Sequence, residues 1–242
     1  MKTITDFLKF LTSDEQIGHI LSTSFLSFAT PALRPGMDQH TLSLLPSRIQ
    51  AIYLFDNYTD KVIPFCHVVH IPTARRMLET VYSQLESNRQ SPFDHIALVS
   101  TILALGAYFS PPSSRVYFNG VEARSFAYQW IFVAQRALLA ANYIVKPTIE
   151  TIQSIIMIAQ NLMPNIGAME ISRVLMASAL LGAQHLMLHR LDSPVNKKRR
   201  ENTQVNWIEI EVKRRIWWHL ASTAWYVTHY SQTSQVHFLI AQ

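Results

Sequence analysis

The chain has 242 residues, 49% of them hydrophobic, and sets 21 Lys+Arg against 16 Asp+Glu for a formal charge of +5. That apolar content suffices for a sizeable core in one large domain or a small pair, and the modest positive excess favours a polyanion only weakly. Six scattered glycines leave no Gly-rich loop to cradle a phosphate, and the single cysteine, Cys66, excludes an internal disulfide and a thiolate zinc cluster within the chain.

Asp6, Lys9, Asp14 and Glu15 interrupt the N-terminal apolar positions, so no signal-peptide core is expected there. The longest apolar run, IALVSTILALGAYF, has 14 residues and is too short to span a bilayer. No membrane partner is expected, and a lone thiol fits a reducing compartment.

Leu, Ala, Met, Gln and Ile recurring at helical spacing, with almost no alternating strand pattern, predict an all-α fold of about seven to eight helices. An N-terminal helical extension is expected over residues 1–44, broken near TPALRPG; a larger unit follows over 45–242. LPSRIQAIYLFDNYTDKVIP predicts a helix closed by Pro64. The next starts at Pro72-Thr73 and fades in ESNRQSP, and another fills residues 93–109. Beyond the loop SPPSSR a long helix is expected over residues 120–144, with Phe126, Trp130, Val133, Ala137 and Leu138 on a wide apolar face. Thr148 is the expected N-cap of TIETIQSIIMIAQNLM. After Pro164 comes a helix whose Ala177, Ala179, Gly182 and Ala183 permit close packing, and LDSPVNKKRRENTQ reads as a polar loop.

The last helix contains EVKRRIWWHL, with Trp217 and Trp218 close behind three consecutive basic residues. At about 100° per residue, Val205, Ile208, Val212, Ile216, Leu220 and Val227 form one core-facing stripe, and Trp207, Trp218 and Trp225 stack as a second column. Two apolar faces predict burial between neighbours, with Trp217 and Trp218 in the core. Glu209 stands four before Lys213 and Glu211 four before Arg215, the favourable order for helical pairs, which leaves Arg214 without such a partner. A nucleic-acid surface would need unpaired basic residues gathered on one exposed face.

Three segments, in order, resemble the fungal-specific transcription factor domain, the regulatory region found downstream of binuclear six-cysteine zinc clusters. Pro46, Leu54, Phe55, Tyr58, Pro64, His70 and Pro72 are similar to its first helix and the extended passage that follows. ALLGAQHLMLHRLD is similar to a family segment through Leu188, His189 and Arg190. EVKRRIWWHL is similar to the family's most specific signature through Glu211, Arg214, Arg215, Trp217 and Trp218. The resemblance spans roughly Leu45 to Leu220 and implies a regulatory, non-catalytic domain acting in the nucleus through helix packing with the rest of a regulator, a transcriptional co-regulator or itself.

Ala224 and YSQTSQVH depart from the acidic residue and Gly-Arg-Pro-like turn common beyond the tryptophans. The family's further helices and its zinc cluster are absent from the sequence, so a truncated relative, a gene fragment or a stand-alone remnant of such a regulator is expected, incomplete at its C-terminus. Zinc, and DNA contact through it, would belong to the DNA-binding domain of full-length relatives. No cofactor or metal is expected in this chain.

Other constellations carry weaker chemistry. Asp56 and Asp60 share a helical face and could hold Mg²⁺ against a diphosphate, which makes an all-α terpene-cyclase-like enzyme the alternative reading, ahead of a generic helical interaction module. No second metal motif follows. His185, His189 and Asp192 have a spacing zinc tolerates, without the Glu of a hydrolytic motif. Cys66 beside His67 and His70 suggests a thiol and base, without an oxyanion loop. The run Lys197, Lys198, Arg199 and Arg200 is a candidate nuclear-import signal or simply a solvated charged loop.

Overall fold

A computed structural model describes residues 37, 39–111, 120–201 and 204–240, and among these all regular structure is helical. The elements are α1 (Gln39–Leu42), α2 (Arg48–Lys61), α3 (Ile71–Glu86), α4 (Phe93–Tyr108), α5 (Gly120–Ala140), α6 (Ile149–Asn161), α7 (Met169–His185), α8 (Pro194–Glu201) and α9 (Trp207–Ile240). Short 3-10 turns, Met163–Ile166 and Leu188–Arg190, flank α7. Residues 1–36 and 38 of the expected N-terminal extension lie outside the described residues.

The sequence places the helix starts through their caps. Ser47 and Gln50 form a reciprocal box at the head of α2, Gln50 N–H donating to Ser47 Oγ and Ser47 N–H to Gln50 Oε1. Thr148 caps α6 as its sequence predicts, receiving the Thr151 N–H at 3.2 Å.

α4 is the central element, since every residue from Ile96 to Ala107 is buried among α2, α3, α5 and α6. A helix apolar all round belongs in such a position. Its two polar residues there, Ser100 and Thr101, donate their hydroxyls to the carbonyls of Ile96 and Ala97 one turn back. α2 crosses α4 at Gly106, where an added Cβ would stand 2.1 Å from the Leu54 carbonyl oxygen. Trp130 of α5 is fully buried and donates its indole N–H to Leu44 O, while Tyr82 of α3 donates to Pro46 O. Those two bonds fasten the chain before α2 onto the core.

α6 is buried from Thr151 to Ala159 and receives α7 on its outer side. Ala179 and Ala183 of α7 are buried in that contact, and Gly182 lies close to Pro147 and Ile152, so the small residues serve the close packing the sequence predicts. α9 lies across α7 and α6, held by the fully buried Ile216 and Leu220.

Two expectations are corrected. The helix expected over 120–144 stops at Ala140, and the chain turns through a left-handed Asn142 at φ 55°, a conformation Asn tolerates well. The segment read as a polar loop contains α8, because Ser193 caps Asn196 N–H and Pro194 suits the first helical position.

Candidate functional site

The residues singled out near the end of the sequence converge where α7 hands over to α8 and α9. Met187 takes a left-handed φ of 59°, which stops α7 and turns the chain into the 3-10 turn of Leu188, His189 and Arg190. Leu188 is buried, His189 and Arg190 are exposed, and Asn196 of α8 donates to the Arg190 carbonyl at 2.7 Å. The turn thereby presents Asp192 to α9.

Arg214 meets it there. Its Nε donates to Asp192 Oδ2 at 2.8 Å, Nη2 to Asp192 Oδ1 at 2.9 Å, and Nη1 to Glu211 Oε2 at 2.6 Å. The residue expected to lack a partner therefore has two, because its partners are set by the fold and by an i,i+3 step rather than by the i,i+4 spacing alone. The expected pairs also form: Arg215 Nε donates to Glu211 Oε1 at 3.0 Å and Lys213 donates to Glu209. Arg200 completes the network, with Nη1 to the Leu191 carbonyl at 2.7 Å and Nη2 to Asp192 Oδ1 at 3.2 Å.

Electrostatics follow the geometry. The Arg214 hydrogen bond, reinforced by the charges of Arg214, Arg200 and Lys197, holds the Asp192 carboxyl below the usual carboxylate range. Arg214 and Arg215 do the same to Glu211, and the two carboxylates raise Arg214 in turn. Burial alone pushes His219, further along α9, down from its ordinary value.

The double tryptophan divides its labour. Trp217 is half-buried, its ring 5.7 Å from that of His189, so the Leu-His-Arg segment and the double-tryptophan segment touch. Trp218 is 63% exposed, which corrects the expectation that it is a core residue. Trp207 and Trp225, on the same side of α9 as Trp218, are largely exposed as well. Of the expected core stripe, Ile216 and Leu220 are buried, Val212 is packed against the core, Ile208 is half out, and the Val227 side chain lies outside the described residues.

The remaining candidates disperse. Asp56 pairs with Arg75, whose guanidinium also lies 4.8 Å over the Phe55 ring, and Asp60 is exposed. Between them Tyr58 is buried with its hydroxyl on Met157 Sδ, and Asn57 donates to Gly106 O and Ser110 Oγ, so the segment holds α2 to the core. Cys66 is buried and burial pushes its thiol up, while His67 is exposed and His70 shares a 2.8 Å bond with Thr73. His185 is exposed, and Asp192, spent on two arginines, is not offered to a metal. Among the described residues no three His, Cys, Asp or Glu side chains gather to hold one. Lys197, Lys198 and Arg199 are exposed along α8, with Arg200 turned inward.

Sequence reading missed Asp192 as the centre of the clamp, having grouped it with two histidines. An acidic residue just beyond the Leu-His-Arg segment, and an arginine short of an i,i+4 partner, were the available signals.

The profile described as fungal specific transcription factor domain matches residues 55–220. The chain belongs to this family. The match begins in α2 and ends at Leu220 on α9, so it takes in the central helix and the whole clamp. Relatives carry names consistent with it. The chain is 58% identical over 219 residues to the agnestins biosynthesis cluster transcription factor AgnL11 of Paecilomyces divaricatus, covering 90% of this chain and 32% of that protein. It is 32% identical over 185 residues to a probable transcription factor, lepB, of Aspergillus flavus, covering 75% of this chain and 33% of that one. The transcription factor domain described here thus spans about a third of the length of these relatives. No solved structure matches it.

Proposed function

We propose that this chain is the regulatory, non-catalytic portion of a transcription factor that controls a biosynthetic gene cluster in the nucleus. The observation that carries the reading is the clamp of Arg214 on Asp192 and Glu211. The family's motif residues are used to seat a long helix on a preformed core, which is the work of a packing and relay element rather than of a reaction centre. Two relatives with transcription-factor names, one of them tied to a biosynthesis cluster, support the same role.

The basic residues beside the tryptophans speak for packing over DNA reading. Lys213, Arg214 and Arg215 each have carboxylate partners, and base or phosphate contact would have to break those pairs. DNA contact in such a regulator falls to a zinc cluster outside this sequence, and zinc is a cofactor there. The basic helix α8, with Lys197, Lys198 and Arg199 exposed, serves nuclear import. Its partners are a transcriptional co-regulator or a second copy of the regulator.

Disrupting the gene and measuring transcripts of neighbouring biosynthetic genes tests the role. A coordinated change that is reversed by complementation is expected, and unchanged transcripts would overturn the proposal.

A further inference from the structure

Three Ser-Pro dipeptides lie among the described residues, and the fold treats them differently. Ser91 is 3% exposed and donates its hydroxyl to Gln84 Oε1 at 2.6 Å. Ser110 donates to the Gly106 carbonyl at 2.9 Å and accepts from Asn57, so it belongs to the contact between α2 and α4. Ser193 is partly exposed, and its oxygen accepts the Asn196 N–H at 3.4 Å while its own proton has no acceptor among the described residues. Pro194, which follows it, is exposed, and Val195 is 75% exposed. A fourth pair, Thr30-Pro31, falls outside the described residues.

The surroundings of Ser193 suit modification. It stands between the 3-10 turn Leu188–Arg190 and α8, and α8 leans only lightly on the other helices. A kinase takes its substrate extended across the active site, and a short, lightly packed helix opens locally at small cost. A proline directly after the hydroxyl residue brings a fixed φ and no N–H, the feature that proline-directed kinases select at that position. Lys197, one helical turn on from Ser193, is exposed, and its charge stands to balance an added phosphate.

We propose that Ser193 is a phosphorylation site for a proline-directed protein kinase, and that its phosphate draws Arg200 away from Asp192. The Ser193 Oγ attacks the γ-phosphorus of a nucleoside triphosphate, the bond from that phosphorus to the bridging oxygen breaks, and the hydroxyl proton passes to the kinase's base. A nucleoside diphosphate leaves, and the chain gains a charge of about −1.5 to −2 one residue from Asp192. Arg200 already reaches back to this turn, with bonds to the Leu191 carbonyl and to Asp192 Oδ1. At 3.2 Å the second of these is the longest of the three arginine bonds that Asp192 receives. A phosphate with three acceptor oxygens outcompetes a carboxylate for that guanidinium. The modification thus acts on the clamp from outside α9. It stands apart from the transcriptional role, and the test below can fail without touching that role.

The folded full chain, incubated with a purified mitogen-activated protein kinase and ATP and mapped by mass spectrometry, should carry phosphate at Ser193 and none at Ser91 or Ser110. Pro194→Ala, a change at an exposed position that keeps the hydroxyl, should abolish labelling at Ser193. An unmodified Ser193, phosphate at Ser91 or Ser110 to the same extent, or labelling that persists in Pro194→Ala would overturn the site. The mapping on the unaltered chain decides even where a variant fails to fold. The transfer of Arg200 is read from a double-mutant cycle of Arg200→Gln and Asp192→Asn in unfolding midpoints. Coupling between the two residues is expected in the unmodified chain and its loss in the phosphorylated one. Coupling that the phosphate leaves unchanged would overturn the transfer.

Discussion

Arg214 and Asp192, 22 positions apart in sequence, are joined by two parallel hydrogen bonds of 2.8 and 2.9 Å. This fork is what a guanidinium offers a carboxylate and an ammonium cannot. About a third of each side chain remains in water, so the strength of a charged pair is discounted here to about 1 kcal/mol. Asp192→Asn should cost about that amount in a urea melt, and Arg214→Lys should cost nearly as much despite keeping its charge. Full stability in Arg214→Lys would show that simple charge, and not the fork, seats α9.

The same network sets an acid limit. Asp192 and Glu211 titrate below their unfolded values, so their contribution is present above about pH 4 and is lost as pH falls through the lower folded values. His219 is also depressed, so the unfolded chain takes up its proton first, and stability begins to decline below about pH 6.5. Two descending steps are expected in stability against pH. Asp192→Asn should shrink the lower step and leave the upper one, while His219→Gln should do the reverse.

Much of this was legible in sequence because it is local. The Thr148 cap, the apolar face bearing Trp130 and the small residues at Ala179 and Gly182 each follow from spacing within one helix. The Arg214–Asp192 fork was not, since helical spacing supplies an arginine's neighbours only within its own helix. The fate of Trp218 was not legible either. A helical wheel shows that α9 has two apolar faces, but which face receives α6 and α7 depends on where Asp192 and the Leu188 turn hold it.

Gly106 offers a test of the core with a diagnostic sign. Glycine to alanine inside a helix ordinarily stabilises, by about 1 kcal/mol. Here the new Cβ would press on the Leu54 backbone at 2.1 Å, and neither helix can yield by rotating a side chain. Gly106→Ala should therefore destabilise by about 2 kcal/mol or more, read as a fall in the melting temperature. A rise would mean that α2 and α4 do not cross at this point.

Asp56 tests the terpene-cyclase alternative. Its pairing with Arg75 is exposed, so Asp56→Asn should cost no more than about 0.5 kcal/mol. Adding Mg²⁺ should leave melting unchanged, and a prenyl diphosphate should not be consumed. Mg²⁺-dependent turnover abolished by Asp56→Asn would replace the regulatory reading with an enzymatic one.

The neighbours Ile216, Trp217 and Trp218 make the sharpest comparison, because three adjacent large side chains meet three environments on one helix. Ile216 is fully buried against the core, and Ile216→Ala should cost about 3 kcal/mol through lost burial and the cavity left behind. Trp217 is half-buried and faces the His189 ring, so its truncation should cost about 1 to 2 kcal/mol. Trp218 is largely in water despite its size, and Trp218→Ala should stay within about 0.5 kcal/mol of the parent chain. The smallest of the three side chains carries the largest cost and the two identical ones differ, so hydrophobicity alone cannot produce the order. A Trp218→Ala loss as large as that of Ile216→Ala, in equilibrium unfolding at protein concentrations low enough to exclude self-association, would place a covering element over that face and return Trp218 to the core.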